Sequence, residues 1–327
     1  MGSLLYETDF GKYYIENCEN ELKRLNLKGK VQLIVTSPPF PLNKKKQYGN
    51  KDGNEYLSWI SSLAPLFSEL LTENGSIVME LGNAWEKGRP VQSLLHLKSL
   101  MSFVENPEAN LRLCQEFVCY NPARLPSPAQ WVTINRIRTI DSFTHIWWMS
   151  NSDFPKADNS KVLRPYSKSM LALLKKGEYN AGKRPSQHVL SEKSFLNDHG
   201  GSIVHNVLEL EKMDDKRELR MPQNSLSIAN TKSNDYFTVA CKENGIIPHP
   251  ARMPMELASF FIEFLTDEND IVLDPFAGSN TTGFCAERLK RRWIGIDADK
   301  TYGQQSVFRF TDPTLGAKII KSTMFDE

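Results

Sequence analysis

Asp270-Ile-Val-Leu-Asp-Pro-Phe-Ala-Gly-Ser-Asn-Thr-Thr-Gly283 is the stretch that decides the fold. It reads as a short apolar strand, a tight glycine turn and the start of a helix. Such a turn lets a ligand approach the backbone and aims free helix amides at it. The spacing from Gly278 to Gly283 matches the outer glycines of a phosphate-binding loop. Phe284 and Cys285, however, stand where that loop requires Lys and Ser or Thr, so an ATPase is excluded. The dinucleotide-binding Gly-x-Gly-x-x-Gly is absent. Asp297 closes the next predicted strand, Trp293 to Ile296, where an acid can accept hydrogen bonds from both ribose hydroxyls. By themselves these features point only to a nucleotide-like ligand. Position adds more: 30 residues follow Asp297, too few to complete a doubly wound sheet. The remaining strands must come from upstream, which makes the order permuted and counts against ordinary dehydrogenases.

Upstream, the strand candidates are Val31 to Val35, Ile77 to Leu81 and Phe143 to Met149, and a fourth, Ile271 to Leu273, precedes the glycine turn. Apolar residues at 56, 57, 60, 63, 67, 70 and 71 predict an amphipathic helix over Tyr56 to Leu71, with Gly75 as its stop. Further helices are predicted from about Met255 to Leu265 and from about Thr281 to Lys290. Strands alternating with helices give an α/β fold with a mostly parallel sheet. The stretch from about Ser150 to Asp235 is rich in Asn, Ser, Lys, Gly and Pro and weakly periodic, as an inserted, loop-rich module would be. The expected organisation is a first segment 1–150, an insert 151–235 and a cofactor-binding segment 236–327.

Val31-Gln-Leu-Ile-Val-Thr-Ser-Pro-Pro-Phe40 is a buried strand running into two consecutive prolines. The prolines fix the backbone and remove two N–H donors. What remains is an acceptor-rich corner: the Ser37 hydroxyl, the Pro38 carbonyl and an aromatic face at Phe40. Such a corner suits an exocyclic amine on a flat base. An isolated Ser-Pro-Pro is commonly only a turn; its place at a strand end, with a permuted cofactor loop elsewhere, favours a functional reading.

Thr36-Ser37-Pro38-Pro39-Phe40 followed by Asp274-Pro-Phe-Ala-Gly-Ser-Asn-Thr-Thr-Gly283 resembles the β-group amino-methyltransferases of DNA, in which the catalytic motif precedes the S-adenosylmethionine motif. The Ser-Pro-Pro-Phe form, rather than Asp-Pro-Pro-Tyr, is similar to the cytosine-N4 subgroup. Other segments resembling the family are Lys45-Lys46-Gln47-Tyr48-Gly49-Asn50, Leu125-Pro-Ser-Pro128, Lys161-Val-Leu-Arg-Pro-Tyr-Ser167, Gly200-Gly-Ser-Ile203 and His249-Pro-Ala-Arg252. The resemblance implies a Rossmann-like methyltransferase fold in permuted order with an inserted target-recognition region. It implies S-adenosylmethionine as cofactor, double-stranded DNA as substrate, and a restriction endonuclease acting on the same site as a companion.

The implied chemistry assigns roles. Cytosine N4 is a poor nucleophile because its lone pair is delocalised into the ring. Hydrogen bonds from the amine to Ser37 Oγ and the Pro38 carbonyl would draw it toward tetrahedral geometry for direct transfer, with Pro39 and Phe40 completing the catalytic set. C5 methylation needs a cysteine nucleophile, typically after proline, and no cysteine here follows one. Glu80 is expected to hydrogen-bond Ser37 and accept the surplus proton; capping a loop is the alternative for it. Asp274, Phe276, Gly278 and Ser279 are expected on the methionine side, together with Thr36, Pro275 and Asn280, and Asp297 on the ribose. Asn17 stands where relatives often carry an acid near the adenine amino group, and its carbonyl can still accept that bond. The target base must be flipped out of the duplex, with Phe40 and Tyr120 as stacking partners. Lys44, Lys45 and Lys46 suit phosphates, and Arg164, Lys183, Arg184 and His188 are the expected contacts in the insert.

Composition supports a folded protein: 40% of the 327 residues are hydrophobic and 24% charged. Five scattered cysteines show no CxxC pair and no zinc spacing, which predicts reduced thiols and no metal. The N-terminus lacks a secretory pattern and no run approaches a membrane span; a soluble, cytoplasmic protein, on the nucleoid through DNA, is expected. The net charge of +1 conceals segregation. Residues 28–51 hold six lysines and no acid, 52–86 six acids and no base, and 156–193 nine bases against three acids. If the basic segments share a cleft, DNA binding is strongly salt-dependent. An adenine-N6 methyltransferase is the nearest rival, since the amine problem is the same. RNA is a weaker rival for want of an RNA-binding signature. A DNA-binding subunit with a dead catalytic fold is disfavoured by the intact motifs.

Overall fold

The computed structural model describes residues 2–39, 53–83, 85–86, 88–179, 182–183, 185–187, 189–191, 195–209, 236–249, 252–311 and 319–322. The chain divides into two compact units, the smaller taking in Asp158–His205. The larger unit begins with strands β1 (Ser3–Thr8) and β2 (Gly11–Ile15), helix α1 (Cys18–Arg24), β3 (Val31–Thr36), α2 (Gly53–Leu70), β4 (Leu71–Leu81), α3 (Leu95–Val104), β5 (Arg112–Tyr120) and β6 (Phe143–Ser150). The smaller unit contains α4 (Lys168–Lys176) and a two-stranded ribbon of β7 (Gly182–Lys183) and β8 (Val189–Leu190). The chain then rejoins the first unit with β9 (Val207–Glu209), α5 (Tyr236–Glu243), α6 (Met255–Leu265), β10 (Ile271–Asp274), α7 (Thr281–Arg288), β11 (Arg292–Asp297), α8 (Lys300–Ser306) and β12 (Ile319–Ser322).

The main sheet has ten strands in the order β12-β1-β2-β11-β10-β3-β4-β6-β5-β9. From β2 to β4 every neighbouring pair is parallel. The β5–β6 pair is antiparallel, and β6 runs against β4. Strands β10 and β11, from the end of the chain, therefore lie between β2 and β3, from its start. The chain leaves β10 toward β11 on one side and β3 toward β4 on the other. The crevice at the carboxyl ends of β10 and β3 is thus a topological switch point, where open α/β sheets bind ligands. All six residues of β3 are buried, as a strand covered on both faces requires.

Helix α2 buries Tyr56, Ile60, Leu63, Ala64, Phe67 and Leu70, in one cluster with Val31, Ile34, Ile77 and Met79. That is the amphipathic face expected from the sequence, but its end differs. The chain passes from α2 into β4 at Leu71, and Gly75 lies inside the strand rather than after the helix. The register shows why: Val31 pairs with Leu71, yet Leu33 pairs with Ser76, so β4 bulges between. A Cβ on Gly75 would stand 3.0 Å from the Val31 carbonyl oxygen. The glycine serves a close backbone approach, not a helix stop.

The β1–β2 hairpin, which the sequence reading did not anticipate, supports the glycine turn from beneath. Tyr6 and Tyr13 stack at 5.3 Å between centroids. Asn280 caps α7 in the left-handed region, at φ 56° and ψ 43°. Its side chain accepts from the Gly283 N–H at 3.1 Å and donates to the Tyr6 hydroxyl at 2.8 Å. Asn280→Ala removes the cap and the Tyr6 partner while keeping an unfavourable φ; a loss of about 2–3 kcal/mol is expected. Asn280→Gly relieves the φ and costs less. Urea unfolding midpoints are expected in the order wild type, Gly, Ala.

Candidate active site

Pairing of Leu273 with Ile34 sets β10 and β3 in register, so their carboxyl ends meet. There the Thr36 hydroxyl donates to Asp274 Oδ1 at 2.8 Å, and the Thr282 hydroxyl donates to Oδ2 at 2.8 Å. The Phe276 N–H adds a third bond, to Oδ1 at 3.1 Å. Burial pushes the Asp274 carboxyl up to about 6, against the pull of these donors. One carboxylate thus ties the strand leading into Ser37 to the turn leading into α7.

The turn itself is held by side chains from three other elements. Gly278 adopts φ 49°, a left-handed conformation that favours glycine. Its N–H donates to Asp297 Oδ2 at 2.8 Å, and its carbonyl accepts from the Tyr13 hydroxyl at 2.8 Å. Arg309 donates to the Ser279 carbonyl at 2.6 Å and to its Oγ at 3.0 Å. Asp297 Oδ1 accepts from the Asp299 N–H at 2.9 Å, and burial pushes this carboxyl up to about 6.

A cavity of about 730 Å³ opens above these strand ends. Of the residues expected from the sequence, Asn17, Ser37, Pro38, Pro39, Asp274, Pro275, Phe276, Gly278, Ser279 and Asp297 line it. Thr36 and Asn280 do not: each is fully buried, one bracing Asp274 and the other building the turn. Asn17 lines the cavity but has a second role in the fold. Its Oδ1 accepts from the Glu19 N–H at 3.0 Å as the cap of α1, so that carbonyl is already engaged. The acid on this wall is Glu19, which the sequence reading missed. Burial opposes its ionisation, but donation from Trp59 Nε1 at 2.7 Å and Cys18 Sγ at 3.1 Å holds its carboxyl below the usual range. Trp59, His249, Arg252 and Tyr302 also line the cavity. His249 and Arg252 carried a signal, the His249-Pro-Ala-Arg252 segment; Trp59 and Glu19 carried none. Tyr56 and Thr281 are also among the lining residues, but their hydroxyls are enclosed away from the open space, with no hydrogen-bond partner among the described residues.

Glu80 requires a correction. Thr36 pairs with Met79, which places Glu80 beside the strand that continues into Ser37. Its carboxylate accepts from Thr144 Oγ1 on β6 at 3.1 Å, however, and not from Ser37. Burial raises its pKa above the ordinary value. Tyr120 ends β5 opposite Phe143, half-buried, at the same sheet edge. Arg164 and Lys183 belong to the smaller unit: Arg164 pairs its backbone with Ser202, and Lys183 is exposed on β7. Phe40, Lys44, Lys45, Lys46, Arg184 and His188 lie outside the described residues.

A family model for DNA methylases (N6_N4_Mtase) matches residues 31–308. The chain belongs to the DNA methylase family. Among relatives, the type II methyltransferase M.PvuII of Proteus hauseri is 38% identical over 317 residues, covering 96% of this chain and 88% of that protein. The solved PvuII DNA methyltransferase, described as cytosine-N4-specific, superposes with a TM-score of 0.72 at 32% identity over 96% of this chain and 91% of its own. A complex of M1.HpyAVI with S-adenosylmethionine shares the fold, with a TM-score of 0.50 at 19% identity over 92% of this chain and 99% of its own.

As a DNA methylase, the chain places Asp297 where its charge matters. Because burial raises the Asp274 and Asp297 pKa values, the fold binds these two protons more tightly than the unfolded chain does. Their contribution to stability is present below the unfolded value and is lost as pH rises through about 6. A ligand hydroxyl at Asp297 would run the other way, since the charged carboxylate accepts it best. Affinity for S-adenosylmethionine is expected to fall as pH drops through about 6. Titration calorimetry on Asp297→Asn should show weaker binding and a shallower pH dependence.

Proposed function

We propose that this DNA methylase transfers a methyl group from S-adenosylmethionine to the N4 amine of a cytosine in double-stranded DNA, at a specific site. The observation that carries it is the single cavity lined by both Ser37-Pro38-Pro39 and the Gly278–Asp297 pair, with Asp274 bridging the two. The residues fit the cofactor. The volume lies in the usual range for small-molecule sites. An acidic strand end offers acceptors for ribose.

The bound cofactor supplies an already activated methyl group on a sulfonium. The protein's part is to hold and polarise the base. Ser37 Oγ and the Pro38 carbonyl accept hydrogen bonds from the cytosine amine, turning its lone pair out of the ring plane. Pro39 keeps that corner rigid and free of a competing N–H donor. Glu80 lies on the strand beside the corner, bonded to Thr144 and not to Ser37, and burial makes its carboxylate a stronger base for the surplus proton. The base arrives by flipping, with Phe40 and Tyr120 as stacking faces. Lys44, Lys45 and Lys46 contact phosphates, and residues 151–235 read the target with Arg164, Lys183, Arg184 and His188. A restriction endonuclease of the same specificity is the expected companion, and the cytoplasm the site of action. Among the described residues no helix is long and apolar enough to cross a membrane.

The choice of cytosine over adenine rests on the Ser-Pro-Pro-Phe corner and on the similarity to the PvuII methyltransferase. Transfer of labelled methyl to duplex DNA, followed by digestion to nucleosides, is expected to yield N4-methylcytosine. N6-methyladenine would replace that reading with the adenine one, and no transfer with cofactor bound would mark a dead relative. Ser37→Ala should lower kcat by roughly 10²-fold, as losing one aligned polar contact does, with cofactor Kd unchanged. Glu80→Gln should lose turnover while still binding cofactor; unchanged turnover discards its role.

A further inference from the structure

The connection between β5 and β6, residues 121–142, has no part in the reaction described above. Its place is fixed by register. Leu81, at the end of β4, pairs with His145 near the start of β6, and Tyr120, at the end of β5, pairs with Phe143. The loop therefore leaves the sheet at the edge where β3 runs into Ser37, two strands or roughly 10 Å away from β3. Arg124, near the start of the loop, is close enough to Glu80 to favour its charged form.

The loop is basic, apolar and tied down. It holds three arginines, Arg124, Arg136 and Arg138, against one acid, Asp141. The Asn121 N–H donates to the Ser142 carbonyl at 2.7 Å, and the Ile137 N–H to the Trp131 carbonyl at 3.0 Å. Arg124 donates to the Phe143 carbonyl at 2.8 Å. Arg138 lies 3.6 Å from the centre of a Trp85 ring and donates to the Pro90 carbonyl at 2.8 Å. Arg136 differs: it is exposed, at φ 54°, and makes no hydrogen bond or ion pair among the described residues. A left-handed φ is unfavourable for arginine and persists only where the surroundings impose it. Ile134 and Ile137, 67 and 59% exposed, flank this cation. Two apolar side chains around an unpaired arginine match duplex DNA from which one base has been turned out. Such DNA offers bare base faces within and phosphates outside.

We propose that the β5–β6 loop closes on the target base pair, with Ile134 and Ile137 packed against the bases left unstacked by flipping and Arg136 on a flanking phosphate. The assignment rests on the reading above of flipped-base transfer to duplex DNA. It is tested with a duplex carrying the site that wild type methylates in plasmid DNA, mapped by sequencing. A second duplex holds a mismatch opposite the target base. The double variant Ile134→Ala/Ile137→Ala is expected to lose roughly tenfold in kcat/KM on the matched duplex, about the worth of one apolar side chain withdrawn from water. On the mismatched duplex, whose base leaves the stack at lower cost, the loss should shrink to about threefold or less. Arg136→Ala is expected to weaken binding to any duplex and to lower the slope of log Kd against log salt by about one. Both variants should keep the Tm and the S-adenosylmethionine affinity of wild type. Equal losses on the two duplexes, no loss at all, or an unchanged salt slope each overturns the proposal. A fall of several degrees in Tm overturns it too, by showing these side chains packed within the fold. Failure of wild type to methylate plasmid DNA sinks the underlying reading instead.

Discussion

The buried carboxylate of Asp274 is the constraint on which the site depends. It joins β10 to β3 through Thr36 and closes the glycine turn through Thr282 and the Phe276 N–H. A carboxylate removed from water is costly unless its lone pairs are filled. Three donors fill them here, and each donor belongs to a different part of the site. Because the requirement is mutual, the strand leading into Ser37 cannot move independently of the glycine turn. A separation of 238 residues in sequence is thereby reduced to a contact of 2.8 Å. Direct transfer needs that rigidity, since so much of its rate comes from alignment.

A second layer of support comes from outside the motifs. Tyr13 and Arg309 each bond a backbone carbonyl of the turn, and Tyr6 holds Asn280, whose left-handed conformation starts α7. The hairpin and the Arg309 side chain thus fix the shape of a loop they do not flank in sequence. The charge segregation is also partly absorbed by the fold. Lys28 pairs with Glu69 at 2.6 Å, and Lys30 bonds the Asn26 carbonyl at 2.8 Å. Two of the six lysines in the basic stretch 28–51 therefore serve the local surface, and one of them meets the acidic stretch directly. Exposed pairs of this kind contribute little to stability.

Much of the parallel core was legible because its strands are short β-branched runs between strong turn signals, as at Val31–Thr36 and Ile271–Asp274. Helix α6 was legible to the residue, since its apolar face repeats at helical spacing. The hairpin β1–β2 was not, because Tyr6, Tyr13 and Tyr14 do not advertise a strand without a partner to pair with. Gly75 was misread for the same reason: a helix-stop glycine and a bulge glycine look alike until the register with β3 is known. At the site, residues within motifs were found, and residues recruited from elsewhere were not. Glu19 sits in an ordinary amphipathic helix, and only its bond with Trp59, 40 residues later, gives it a place.

The sequence by itself determined the two chemical ends of this protein, the Ser37-Pro38-Pro39-Phe40 corner and the Asp274–Gly283 turn, and the order in which they occur. Those are local properties: prolines lacking N–H donors, glycine where φ is positive, an acid at a strand end. Only the tertiary structure decided which motif residues touch the cavity and which merely build it. Thr36 and Asn280 stand in the motifs yet face inward, whereas Trp59, Glu19 and Tyr56 stand outside them yet form a wall. The physical reason is that a side chain's exposure depends on the pairing register and on what packs over it. Both are set by contacts between residues far apart in the chain.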